Sequence, residues 1–268
     1  TAVGALSQLN ATTGEFNTSL GSTAMGVGVT TGDYNVAIGY RAGEDITSAT
    51  TTTLVGTFAG LNLTSGANNT AIGYEALKTE NAHGSNTAIG TQTLNQLDAG
   101  ADGNNTAVGH QACLAMTTGV RNTIVGGLAG DALTTGSFNT ALGFLALSTE
   151  DAHSGNTAIG TSALMLLDAG ADGYNTAVGF DAGKGISTGV QNTALGAFAL
   201  DASVTSNFNV AVGMSAGSAV TSGHSNTIIG SQAGDALTTG DNNIIIGQAA
   251  AASAVDVDNT TVVGTTAT

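Results

Sequence analysis

Short apolar segments recur along this chain at a nearly constant interval. The commonest form is Asn-Thr-Ala-Ile-Gly, as in residues 69–73 and 86–90. Its glycine stands at Gly4, Gly21, Gly39, Gly56, Gly73, Gly90, Gly109, Gly126, Gly143, Gly160, Gly179, Gly196, Gly213, Gly230, Gly247 and Gly264. The steps are 17 residues, except one of 18 before Gly39 and two of 19 before Gly109 and Gly179. One residue before the glycine stands Val, Ile or Leu in every unit, and three before it stands Thr in thirteen of sixteen. Two before it is mostly Ala, with Leu54, Ile124, Ile228, Ile245 and Val262 as larger occupants. A fixed short period from end to end is the mark of a repeat architecture. Seventeen residues are too few for two helices and a turn, and β-branched residues favour a strand. Strand side chains alternate between faces. The invariant Val/Ile/Leu is therefore expected to point into a core together with the Thr two residues earlier, leaving the Ala outside.

The glycine after the strand reads as a corner, where a positive φ is cheap. Thr-Thr-Gly, as in residues 134–136 and 238–240, marks a second corner. A second short strand is expected between them. Two strands and two corners make one coil of an all-β, parallel β-solenoid. The expectation is about sixteen coils in a single domain, 1–268. A longer repeat lies over the short one: residues 69–138 resemble 139–208. The two 19-residue coils carry Leu-Asp-Ala-Gly-Ala-Asp-Gly at 97–103 and 167–173, which is expected to bulge as a loop. Four residues before the repeat glycine stand Asn17, Asn35, Asn69, Asn86, Asn105, Asn122, Asn139, Asn156, Asn175, Asn192, Asn209, Asn226 and Asn243. Stacked coils would turn this column into a ladder of side-chain amides. The first and last coils carry no recognisable cap, so further sequence or another chain is expected to cover them.

Composition narrows the function. The chain has 268 residues, 41% of them apolar and only 9% charged, with a formal net charge of −15. Disorder needs lower hydrophobicity and more charge. The 40 glycines come with no proline, which excludes collagen and suits strands whose every N–H enters a ladder. Four Lys and Arg residues cannot neutralise a nucleic-acid backbone. One cysteine excludes a disulfide scaffold. No apolar run reaches the length of a membrane span, and no signal peptide is visible.

The columns Asn-Thr-Ala-Ile-Gly, followed three residues later by Ala, resemble the head repeats of YadA-like trimeric autotransporter adhesins. They also resemble the Asn-Thr-Ala-Val-Gly repeats of phage tail-fibre proteins. The resemblance covers the whole chain as a match of repeat columns. It implies a left-handed parallel β-roll, association of three chains side by side, and surface attachment.

Candidate contact residues follow from the columns. Phe16, Tyr34, Phe138, Tyr174 and Phe208 precede the repeat Asn; Tyr40, Tyr74, Phe144 and Phe180 follow the glycine, with Phe58 and Phe198 one residue later. These two rows suit a stacking platform for sugars or, as the plainer reading, contacts between chains. Asp98, Asp102, Asp168 and Asp172 in the long coils are weak Ca²⁺ candidates, with a spacing that matches neither an EF-hand nor the Gly-Gly-x-Gly-x-Asp repeat of calcium-binding β-rolls. His83 and His153 are equivalent across the 70-residue duplication, too far apart for one chain to place both on one ion. Cys113 reads as a small buried hydrophobe. No catalytic motif or cofactor site is apparent. The expected function is a structural and adhesive extracellular fibre segment that associates with itself and displays a surface to a glycan or protein receptor, without nucleic-acid or membrane partners. Alternatives are a subunit of an end-to-end filament and an ice-binding solenoid carrying a flat Thr array.

Overall fold

The computed structural model describes residues 1–150, 152–202, 204–251 and 254–264. They form two compact units, Thr1–Phe138 and Asn139–Thr268. In the first lie β1 (Ala2–Val3), β2 (Thr18–Leu20), β3 (Val36–Ile38), β4 (Thr53–Val55), β5 (Thr70–Ile72), β6 (Thr87–Ile89), β7 (Thr106–Val108) and β8 (Thr123–Val125). In the second lie β9 (Thr140–Leu142), β10 (Thr157–Ile159), β11 (Thr176–Val178), β12 (Thr193–Leu195), β13 (Val210–Val212), β14 (Thr227–Ile229), β15 (Ile244–Ile246) and β16 (Thr261–Val263). Each strand is the segment just before a repeat glycine, and each unit stacks its strands in sequence order. Pairing is parallel and in register: Thr157 lies beside Thr176 and Ile159 beside Val178, Thr70 beside Thr87 and Ile72 beside Ile89. Each unit is therefore a β-solenoid, one strand per coil.

The strand faces are the reverse of the expectation from alternation. The middle residue of each strand points inward: Ala37, Ala71, Ala88, Ala158 and Ala177 are fully buried, as are Leu54, Ile124, Ile228 and Ile245 in the same column. The flanking Thr and Ile/Val/Leu residues are half-buried or exposed. Alanine fits the inward position, and Thr keeps its hydroxyl in water.

The second expected strand is also replaced. Opposite the β side, the interior coils bury two consecutive residues, such as Ala76 with Leu77, Ala112 with Cys113, and Ala163 with Leu164. A pleated strand would send one of each pair outward. A left-handed residue turns both inward, and Leu77, Cys113 and Leu164 have φ of 51°, 52° and 50°. These turns still form rungs between coils, as in Leu77 N–H to Thr93 O at 3.0 Å and Leu164 N–H to Ala182 O at 3.1 Å. An isolated parallel bridge joins Ile186 and Val204.

Core volume is shared between columns. In three coils whose inward strand residue is large, the left-handed position is glycine: Leu54 with Gly60, Ile124 with Gly130, Ile228 with Gly234. A Cβ built on Gly60 would stand 2.8 Å from Leu54 Cδ2, and one on Gly43, in the preceding coil, 2.6 Å from Leu54 Cδ1. Gly60→Ala is expected to cost about 1–3 kcal/mol by overpacking. In a Leu54→Ala background that cost should fall to the roughly 1 kcal/mol of a left-handed alanine. Chemical denaturation of the four proteins of this cycle measures the coupling; strictly additive costs would contradict shared packing.

Candidate functional site

The asparagine column lies inside each unit. Asn35, Asn69, Asn86, Asn156 and Asn209 are fully buried, and Asn17, at 7%, is the most exposed of the column. Most of the carboxamides reach the next coil twice; Asn86 Nδ2 instead donates to Gly84 O in its own coil, and Asn156 Nδ2 is buried without a partner among the described residues. Asn209 Oδ1 accepts from Asn226 N–H at 3.0 Å, while its Nδ2 donates to Gly223 O at 2.8 Å. The same pair of contacts recurs from Asn17 to Asn35 N–H and Gly32 O. It recurs again from Asn175 to Asn192 N–H and Gly189 O. Asn105, Asn192, Asn226 and Asn243 donate likewise to Gly119, Ser206, Gly240 and Val257 carbonyls. Asn122 donates to Gly136 O and Asn139 to His153 O. These amides neutralise the corner carbonyls, which would otherwise be buried without donors.

The outward strand face carries two rows, Thr or Val and then Ile, Val or Leu. In the first unit Val3, Leu20 and Ile72 are exposed; in the second, Leu142, Ile229, Ile244 and Val263. Apolar side chains at ladder spacing form a continuous stripe in each unit. Stripes of this size usually mark interfaces.

Both aromatic rows are on the outside. Phe16, Tyr34, Phe138, Tyr174 and Phe208 are exposed, as are Tyr40, Tyr74, Phe144, Phe180 and Phe198. Phe16 and Tyr34 stack at 5.0 Å with planes 7° apart. Tyr40, Phe58 and Tyr74 meet edge to face at 5.5 and 6.2 Å, and Phe180 meets Phe198 at 5.4 Å. The few cations are used locally. Arg41 pairs with Glu44, Lys78 with Glu75 and Lys184 with Asp181, while Arg121 lies over the Phe138 ring at 5.3 Å. The Lys78 hydrogen bond holds the Glu75 carboxyl below its ordinary pKa, helped by Gln92.

The four candidate calcium aspartates go to different partners. Asp102 Oδ1 accepts from Gly84 N–H at 3.0 Å, and Asp172 Oδ1 from Ser154 N–H at 3.1 Å. Asp98 instead approaches His83, its Oδ1 3.7 Å from Nδ1. Sequence reasoning missed the residue that completes this group. Glu80 accepts from the His83 ring at 3.1 Å, and Glu150 from the His153 ring at 2.7 Å. The loops beyond project freely: Gly100 and Gly170 have φ of 69° and 66°, with nothing within 4 Å of an added Cβ.

His224 belongs to an outer polar ladder that the columns did not reveal. Its Nδ1 accepts from Asn207 N–H at 3.1 Å, and its own N–H donates to Asp241 Oδ1 at 2.7 Å. His110 is exposed. Cys113 is fully buried; desolvation first, and the Asp131 charge second, push its thiol pKa up. A thiol so placed carries little thiolate for nucleophilic chemistry. No helix among the described residues is long and apolar enough to cross a membrane. Comparison with known protein families, with curated proteins and with solved structures finds no match to this chain.

Proposed function

We propose that this chain is a structural segment of an extracellular fibre that self-associates through its strand face, most simply as a homotrimer of left-handed β-rolls. The observation that supports this reading is the outward row of Val, Ile and Leu beside Thr in each unit. The row repeats on every rung of each coil stack, and a second copy of the same face would match its spacing rung for rung. The exposed aromatic rows then remain for a glycan or protein receptor. The net charge of −15 keeps such assemblies soluble. With every Lys and Arg occupied locally, neither nucleic acid nor an anionic membrane is a suitable partner. The role is mechanical rather than enzymatic.

Sedimentation equilibrium tests the proposal. The expected mass is three times the 25.9 kDa chain, independent of concentration. Leu142→Lys, at an exposed strand position, is expected to lower that mass towards one chain with little change in the circular dichroism spectrum. A wild-type mass of one chain at all concentrations would overturn the reading. Mass that grows with concentration would favour the end-to-end filament instead.

Outward orientation of the Thr column also favours an ice-binding surface. Thr70, Thr87 and Thr106 stand in register on successive rungs. Thermal hysteresis that persists in monomeric Leu142→Lys protein would support that second reading.

A further inference from the structure

Seven residues after the repeat glycine, most coils place an apolar side chain in the core. Ile46, Leu63, Leu97, Met116, Leu133 and Leu167 hold this column, all fully buried. In two coils the same position is a glutamate, Glu80 and Glu150, each also 0% exposed. The coil does not need a carboxylate there, since its neighbours fold with leucine. A carboxylate in such a column is costly unless a cation or several donors meet it. No Lys or Arg approaches either one among the described ion pairs. Glu80 accepts from His83 N–H at 3.0 Å and Ala99 N–H at 3.3 Å. Glu150 accepts from His153 N–H at 3.0 Å on Oε1, but its Oε2 is buried and accepts no hydrogen bond.

The surroundings supply the remaining chemistry. One ligand atom each from Glu80, His83 and Asp98 lies within 4.8 Å of the other two, and Glu150, His153 and Asp168 repeat the arrangement in the second unit. Two atoms bound to one ion at about 2.1 Å stand roughly 3.0 Å apart at a right angle and roughly 3.4 Å apart at the tetrahedral angle. His83 Nδ1 is 3.1 Å from Glu80 Oε1 and 3.7 Å from Asp98 Oδ1. These separations fall on either side of the tetrahedral value. Both imidazoles turn Nδ1 towards the carboxylates; with an ion on Nδ1, the proton would move to Nε2. The Asp98 side chain is 48% exposed, so solvent reaches the open side. One nitrogen and two carboxylates suit a borderline transition-metal ion. Calcium and magnesium take all-oxygen sets.

We propose that each unit binds one divalent transition-metal ion, with zinc as the working probe, through Glu80, His83 and Asp98 in the first and Glu150, His153 and Asp168 in the second. Glu80 and His83 belong to one coil and Asp98 to the next, so the ion ties consecutive coils together beside the long loop. The site is independent of how many chains associate.

Equilibrium dialysis of metal-stripped, untagged full chain against zinc tests this, with metal analysis as the readout. Two equivalents per chain are expected, with half of them lost in Glu80→Leu, half in Glu150→Leu, and all in the double variant. These substitutions install the residue the column carries elsewhere, so the fold is expected to survive without metal. The zinc-dependent rise in melting temperature should vanish. Cobalt should give visible d–d absorption that calcium does not abolish. Absence of zinc binding by the wild type, retention of both equivalents by the double variant, or displacement of cobalt by equimolar calcium would overturn the proposal.

Discussion

Gly160→Ala is expected to destabilise the second unit by more than about 3 kcal/mol, the range of severe backbone and packing faults. Two effects add. Gly160 has φ of 131°, a conformation nearly closed to residues with a Cβ. The added Cβ would also stand 2.2 Å from Gly179 O. That oxygen is backbone of the next coil, so relief requires the coil to move and the rungs on both sides to lengthen. The comparison that isolates the effect is Gly170→Ala. There φ is also positive, at 66°, but nothing lies within 4 Å of the new Cβ. Its cost should be about 1 kcal/mol, the ordinary left-handed penalty. Repeat stacks do not always unfold in two states. Hydrogen exchange at the β10 and β11 rungs, alongside urea denaturation, therefore gives the clearer reading. Equal effects of the two substitutions would show that coil stacking tolerates a Cβ at the corner.

Asn209→Leu is expected to be comparably damaging, by a different route. The leucine would leave Asn226 N–H without its 3.0 Å acceptor and Gly223 O without its 2.8 Å donor. Each buried orphan costs about 1–3 kcal/mol, so the total is about 2–6 kcal/mol. Thr52 takes the Asn place in one coil, and its Oγ1 and N–H donate to Asn35 Oδ1 of the preceding coil at 2.9 and 3.1 Å. Asn209→Thr should likewise keep a polar partner for Asn192 Oδ1 but lose both contacts to the following coil, and so be nearly as damaging as Asn209→Leu. A leucine variant that melts with the wild type would mean that water replaces the amide.

Strand positions were legible because a single glycine column marks the end of every strand. The facing of the strands was not. Alternation requires one of the two sets to point inward, and size suggested the bulky one. The better clue was chemical. Thr stands in thirteen of sixteen units one residue before a column that is never charged. A buried hydroxyl repeated that often would need that many partners, whereas the Ala column needs none. The left-handed turns were illegible for another reason. Leu77, Cys113 and Leu164 are not residues that advertise a positive φ; stacking between coils imposes it. The glutamates were visible as acids breaking an apolar column. Their meeting with Asp98, 18 residues from Glu80, depends on how one coil sits on the next.

Most of the asparagine amides bond the same way along each stack. Asn17 gives both of its contacts to the coil that follows it in sequence, at Asn35 and Gly32, whereas Asn86 and Asn156, which precede the long coils, give that coil only their Oδ1. The column is thus a vector, and its two ends are not interchangeable. A coil leaving the ribosome has an unmet amide until its successor arrives, and its arrival both satisfies that amide and presents a new one. Adding a coil at the carboxy-terminal end of such a stack satisfies a waiting side chain, whereas adding one at the amino-terminal end satisfies waiting backbone groups.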